Sequence, residues 1–148
     1  MKIKSVFEPH QEIPALYTCL SENISPPLFF EEVPLVSQSL VLIFEDLDAS
    51  PIPWVHWHLF NIPAETTFIR EGEVPPGATA GWSNNRSFAY EGPCPNYFSG
   101  THRYCFRLYA LDRMLELPPE TEASEMKQQM AAFVLDVAEL EGICISSK

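Results

Sequence analysis

Proline is the residue that most restricts this chain. The 148 residues include 14 prolines against only 6 glycines. Proline fixes φ and has no N–H to give to a ladder, so it is tolerated in turns, at strand edges and in the first turn of a helix, but not inside elements. So many of them predict a mainly β chain of short strands joined by long ordered loops, rather than a helical bundle. The length fits a single domain over residues 1–148 with a hydrophobic core that needs no staples. With 46% hydrophobic and 20% charged residues, the composition is globular.

Hydrophobic patterning places the main strands. Lys2 to Phe7 alternates weakly and reads as an opening strand. Ser39 to Phe44 is a near-continuous apolar run of strand length that ends abruptly in Glu45-Asp46-Leu47-Asp48, as a buried central strand running into a functional loop would. Trp54 to Ile62 reads as the next strand, with Val55, Trp57 and Leu59 on one face and His56, His58 and Phe60 on the other. Arg103 to Leu111 is a third, with Tyr104, Phe106, Leu108 and Ala110 sharing a side. From Met126 the period changes: Met126, Met130, Phe133, Val134, Val137, Ala138 and Leu140 are spaced as on a helix. Thr121 is its candidate N-cap and Gly142 its candidate stop.

The formal net charge of -11 and pI of about 4.6 disfavour nucleic acid and anionic membrane surfaces as partners. No run approaches the roughly 20 apolar residues of a membrane span, so no membrane insertion is expected. The N-terminal lysines precede no apolar stretch, so a cytoplasmic location is expected. Cys19, Cys94, Cys105 and Cys144 show no CxxC spacing. Free thiols are the default in that compartment, and only oxidising conditions would allow a disulfide.

The candidate chemistry sits at strand ends. Asp46 and Asp48 follow the first core strand, His56 lies in the second, and His102 precedes the third after a Gly-Pro-Cys-Pro loop. Two carboxylates can orient two imidazoles and hold them charged, and a protonated histidine with nearby backbone N–H groups accepts a phosphate-like anion. Each residue also has a plain structural reading: Asp46 and Asp48 as a turn pair, His56 as a satisfied core histidine, His102 as a turn residue. The same four side chains are acceptable ligands for zinc or iron, with His58 sharing a strand face with His56. No compact metal motif supports that, and neither metal nor cofactor is expected. There is no GxSxG elbow, and Cys94 between two prolines reads as a packed loop cysteine, so a binding role is expected ahead of an enzymatic one.

The order of segments resembles the phosphatidylethanolamine-binding protein family, also called the Raf kinase inhibitor protein family, in its small bacterial branch. The resemblance rests on Ile13-Pro14, Tyr17-Thr18-Cys19, Ser25-Pro26-Pro27-Leu28, Asp46-x-Asp48-Ala49, His56-Trp57 through Pro63, Gly92-Pro93-Cys94-Pro95, His102-Arg103-Tyr104 and Leu108 to Asp112. It implies a β-sandwich with Greek-key topology, a few short helices and a C-terminal helix. It also implies a shallow pocket built from Asp46, Asp48, His56, Gly92, Pro93, His102 and Tyr104, which in relatives takes phosphate-like anions and phosphorylethanolamine. The chain departs from the family's Asp-Pro-Asp-Ala-Pro pattern with Leu47 and Ser50, and it carries His58 where an apolar residue is usual.

The expected function is therefore that of a cytoplasmic binding protein for a small phosphorylated or anionic ligand, with a possible protein partner. The resemblance further implies a homodimer. Two alternatives stand beside it: an inhibitor or scaffold of a kinase or protease, as eukaryotic relatives are, and an Asp/His-dependent hydrolase.

Overall fold

A computed structural model describes residues 1–148. The central strand β3 (Ser39–Asp46) lies between β4 (Trp54–Pro63) and β7 (Thr101–Leu111). Outside β4 lies the short β6 (Thr79–Ala80), and outside β7 the long β8 (Val134–Ile145). A smaller sheet holds β1 (Lys2–Lys4), β2 (Leu28–Glu31) and β5 (Phe68–Ile69), and every strand pair in both sheets is antiparallel.

The larger sheet is covered on both faces. Against one face Leu40, Leu42, Phe44, Trp57 and Phe106 pack on Ile3, Leu28, Phe30 and Ile69 of the smaller sheet, which gives the main core of a two-sheet sandwich. On the other face Val41, Ile43, Val55 and Phe60 meet Ala123, Met126 and Met130 of the one α-helix, α1 (Ala123–Met130). This double cover explains why the apolar run at 39–44 is continuous: successive side chains point to opposite faces, and both faces are dry. The strand also runs two residues further than its hydrophobicity suggests. Glu45 and Asp46 belong to β3 and are buried.

The C-terminal region corrects the expected long helix. The helix is present, but it stops at Met130, passes through a 3-10 turn at Ala131–Phe133 and gives way to β8. Glu122, not Thr121, occupies the N-cap position, without a side-chain capping bond. The apolar residues at Ala138, Leu140 and Cys144 alternate with half-buried or exposed ones, which is strand period, and their spacing overlaps with helical spacing at Val134, Val137 and Ala138. Tertiary demand decides between them. The long strand β7 would otherwise leave a row of backbone donors and acceptors unpaired, and β8 pairs with it from Thr101↔Ile145 to Leu111↔Val134. Gly142 is therefore a mid-strand residue under crossing side chains: a Cβ there would lie 2.7 Å from Ile13 Cγ1 and 2.9 Å from Phe7 Cε2.

The cysteines also differ from the expected four free thiols. Cys19 and Cys94, 75 residues apart, form a disulfide, whereas Cys105 and Cys144 are free and buried. The sulfurs meet because Cys19 N–H donates to Pro93 O at 3.0 Å, laying the two loops side by side.

Gly142→Val tests the strand assignment. A branched side chain there must displace Ile13 and Phe7, and the expected cost is about 1–3 kcal/mol in urea unfolding. A neutral or stabilising result would mean that the segment tolerates bulk as an exposed helix terminus does.

Candidate functional site

The ends of β3, β4 and β7 converge on one cleft of about 370 Å3, lined by Asp46, Ser50, Trp54, His56, Asn85, Cys94, Tyr97, Phe98, His102 and Tyr104, with Ala49 completing the wall. Asp46 and Tyr104 are directly paired across β3 and β7, which puts them at the cleft by register alone.

His56 reaches it through a bulge. Glu45 pairs with Val55, while Phe44 pairs with Trp57, so His56 is the extra residue on β4. A bulge breaks the two-residue alternation and re-aims a side chain. The faces accordingly differ from the simple expectation. Trp57 and Leu59 join the main core and Val55 the helix side. His56 packs against Phe44 and Tyr104, at ring separations of 5.9 and 5.4 Å. His58 lies on the opposite face, stacked on Phe60. The two histidines therefore cannot share a metal ion, and the idea that they occupy one face is corrected. Asn84 holds the bulge open: its N–H donates to Val55 O and its Oδ1 accepts from Val55 N–H at 2.6 Å.

The two cleft imidazoles are held in different ways. His56 Nδ1 lies 2.8 Å from Glu91 O. A carbonyl only accepts, so Nδ1 carries the proton and Nε2 remains without a protein partner. Asn85 is oriented by Trp54, whose indole N–H donates to Asn85 Oδ1 at 2.7 Å. This turns the Asn85 amide nitrogen to 3.4 Å from His56 Nδ1. Two donors cannot bond each other, so that amide keeps its hydrogens for another acceptor. Burial pushes the His56 pKa below its ordinary 6.5, and the Glu91 carbonyl and Asp46 only partly offset this.

His102 Nδ1 lies 2.7 Å from Asp46 Oδ2, and the ring stacks on Phe98 at a centroid distance of 3.8 Å. Asp46 Oδ1 accepts from Asp48 N–H at 2.9 Å, so both oxygens of this buried carboxylate are used. The Tyr104 phenol, buried beside Asp46, is held far above its ordinary value by burial first and the carboxylate second. It is a neutral hydroxyl.

Four of the seven expected site residues thus meet in the cleft: Asp46, His56, His102 and Tyr104. The other three stand behind it. Asp48 turns away to Arg103, accepting from its backbone N–H at 2.7 Å and from Nε and Nη2 at 3.0 and 2.9 Å. Gly92 N–H donates to Asn23 Oδ1 at 2.8 Å, and a Cβ at this position would sit 1.9 Å from Tyr17 O, so only glycine fits. Pro93 supplies the carbonyl for Cys19. Asn85, Trp54, Tyr97 and Phe98 were not singled out by the sequence. For Asn85, Tyr97 and Phe98 the one visible signal was their place in loops rich in proline, asparagine and glycine, and for Trp54 its place at the start of the second core strand.

Residues 3–145 match the family model described as phosphatidylethanolamine-binding protein. The chain belongs to the phosphatidylethanolamine-binding protein family. A UPF0098 protein of Methanothermobacter thermautotrophicus is 42% identical over 97% of each chain. Among solved structures, a phosphatidylethanolamine-binding protein homologue of Chlamydia trachomatis superposes with a TM-score of 0.92 at 32% identity, over 99% of this chain and 97% of that one. Escherichia coli YbcL, described as a member of the mammalian phosphatidylethanolamine-binding protein family, has a TM-score of 0.90 over 99% of this chain and 98% of that one. At 22% identity it speaks for the fold alone. Both the family resemblance and the mainly β sandwich read from the sequence are confirmed.

His58 is fully buried, with Nε2–H donating to Trp82 O at 2.9 Å and Nδ1 lacking any partner. Burial first, and then Lys127, lower its pKa below 6.5. His56 and His58 are both neutral when folded, and both take up a proton more readily when unfolded. Their contribution to stability is complete above about pH 6.5 and is lost as pH falls below it, at up to about 1.4 kcal/mol per pH unit for each histidine. His58→Phe keeps a ring on Phe60 and removes the orphaned nitrogen. Because it also removes the donor to Trp82 O, it is expected to cost about 1–3 kcal/mol at pH 7.5 and to flatten the acid slope in urea unfolding between pH 7 and 5. An unchanged slope would place the acid sensitivity elsewhere.

Proposed function

We propose that the cleft binds a small oxyanion, either a phosphate group or the phosphorylated end of a larger molecule. One observation carries this reading. Two imidazoles, each tied through Nδ1 to a different acceptor, line one cleft with Nε2 unbonded, beside an undercommitted Asn85 amide. A polar cleft with convergent nitrogens and an aromatic rim suits a group rich in acceptor oxygens. Family membership supports binding in the same direction.

Asp46 sets the proton requirement. A second anion beside its carboxylate is repelled unless a proton comes with it. A proton taken up by His56, which burial keeps neutral in the free protein, turns its Nε2 into a donor. A proton on the ligand lets a P–OH group donate to Nε2 instead. Either way the bound state holds a proton that the free components do not, so affinity rises as pH falls.

Exposed Trp54 and Tyr97 at the rim favour a second, compatible reading, in which the oxyanion is a phosphorylated residue on a partner protein. The Asp46–His102 pair also has the composition of a general base. No serine or cysteine side chain hydrogen-bonds to either cleft histidine, so binding is favoured over hydrolysis. The Cys19–Cys94 disulfide favours an oxidising compartment over the cytoplasm expected from the sequence, a placement that cell fractionation would check.

Phosphate and phosphorylethanolamine titrated against the histidine NMR signals are expected to give saturable shifts at His56 and His102, with Kd near 1 mM, or about -4 kcal/mol. His56→Ala removes one charge-assisted bond and should weaken binding about 10-fold or more. Calorimetry at pH 7.5 in buffers of different ionisation enthalpy should show net proton uptake. Absence of shifts at tens of millimolar ligand would sink the anion reading, and turnover of a phosphomonoester that disappears in Asp46→Asn would favour the hydrolase.

A further inference from the structure

The loop Glu91–Phe98 controls both cleft histidines. Glu91 O fixes His56 Nδ1 at one end, and the Phe98 ring stacks on His102 at the other. Cys94 lies midway and itself lines the cleft. Most of what holds this loop down comes from one partner segment, Tyr17–Asn23. Tyr90 O–H donates to Tyr17 O, Cys19 N–H to Pro93 O, and Gly92 N–H to Asn23 Oδ1. The Cys19–Cys94 disulfide is the covalent member of that set. Beyond Cys94, the C-terminal segment supplies two more ties, with Ser146 Oγ donating to Pro95 O and Lys148 Nζ to Asn96 O.

The disulfide is also the accessible part of the cysteine chemistry. Cys19 and Cys94 are both partly exposed, and Leu20 to Glu22 beside Cys19 lie in solvent. Cys105 and Cys144 are buried, and burial pushes each thiol up to about 11, leaving it protonated and unreactive. A dithiol in solution therefore meets one target.

We propose that the Cys19–Cys94 disulfide is a thiol-exchange site whose reduction releases the Glu91–Phe98 loop and lowers the oxyanion affinity of the cleft. The chemistry is ordinary exchange with a dithiol reductant. Its thiolate attacks one sulfur of the bridge, the S–S bond breaks, and the departing thiolate takes a proton. The second thiol of the reductant then resolves the mixed disulfide. The protein gains two electrons and two protons as two thiols, and the reductant becomes a disulfide. Reduction leaves the hydrogen bonds of the loop but removes the restraint that keeps Cys94 against Cys19, so the ends of the loop no longer hold the two rings in one fixed arrangement. The ligand then has to order the loop as it binds, which weakens binding. In a compartment kept reducing by dithiols the cleft is loose, and under oxidising conditions it is set.

The inference rests on the oxyanion reading for its ligand, but its test has an arm that does not. The imidazole NMR signals of the unliganded full chain are compared before and after dithiothreitol, with far-ultraviolet circular dichroism as a check on the fold and phosphate as the titrant. Reduction should add two reactive thiols, leave the circular dichroism in place, shift or broaden the His56 and His102 signals, and weaken phosphate at least 5-fold. Reoxidation should restore the tight state, and the Cys19→Ser/Cys94→Ser double variant should bind weakly with or without reductant. Equal phosphate affinity in both states, or loss of the whole fold on reduction, would overturn the proposal. If the oxidised protein binds no phosphate at all, the oxyanion reading fails by itself and the ring signals decide: unmoved, they overturn the exchange site; moved, they support it.

Discussion

Strand β3 is paired on both edges and covered on both faces, and the rest of the structure answers to that confinement. All eight of its residues are buried, including Glu45 and Asp46 at its end. A buried carboxylate left alone costs several kcal/mol, so each must be compensated where it stands. Glu45, on the helix side, meets Arg107 at 2.9 Å and Lys127 at 3.2 Å. Asp46, on the opposite face, meets His102 and the Asp48 amide. The imidazole of the cleft thus answers a structural demand of the strand as well as any ligand. The helix contributes Lys127 to one acid, and the Phe98 end of the cleft loop steadies the partner of the other.

The cleft is assembled from strands for placement and from loops for orientation. Register brings Asp46 and Tyr104 together, the bulge adds His56, and β7 carries His102. What these side chains can do is then set by carbonyls, amides and rings in the loops at 83–98. Trp54 fixes Asn85, Glu91 fixes His56, and Phe98 fixes His102. This division of labour places precise donors on segments that contain little regular structure.

Much of this was legible in the residues. The continuous apolar run marked β3, alternation marked β7, and the segments Asp46-x-Asp48, His56-Trp57 and Gly-Pro-Cys-Pro with His102 marked the family and most of its cleft. The failures share a physical origin: each depends on a partner far away in sequence. The bulge at His56 exists only relative to β3, and strict alternation therefore put His56 on the wrong face. The segment after Met130 satisfies both periods over a short window, and its strand form is chosen by the unpaired edge of β7. The disulfide joins residues 75 apart, with no spacing to announce it. Asp48 carries the family pattern yet serves Arg103, because the turn after Asp46 points its side chain out of the cleft.

Neighbouring acids on β3 that serve opposite faces have a further consequence. Glu45 and Asp46 differ by one methylene, and what distinguishes their roles is parity along the strand. Deleting a single residue between Ser39 and Phe44 would exchange them, sending the longer acid towards the His102 face and the shorter one beneath α1 towards Arg107 and Lys127, while the core side chains between the deletion and Asp46 changed sides with them. A change of length in this strand therefore has to be absorbed by a bulge, as the extra His56 is in β4, before the two acids can keep their faces.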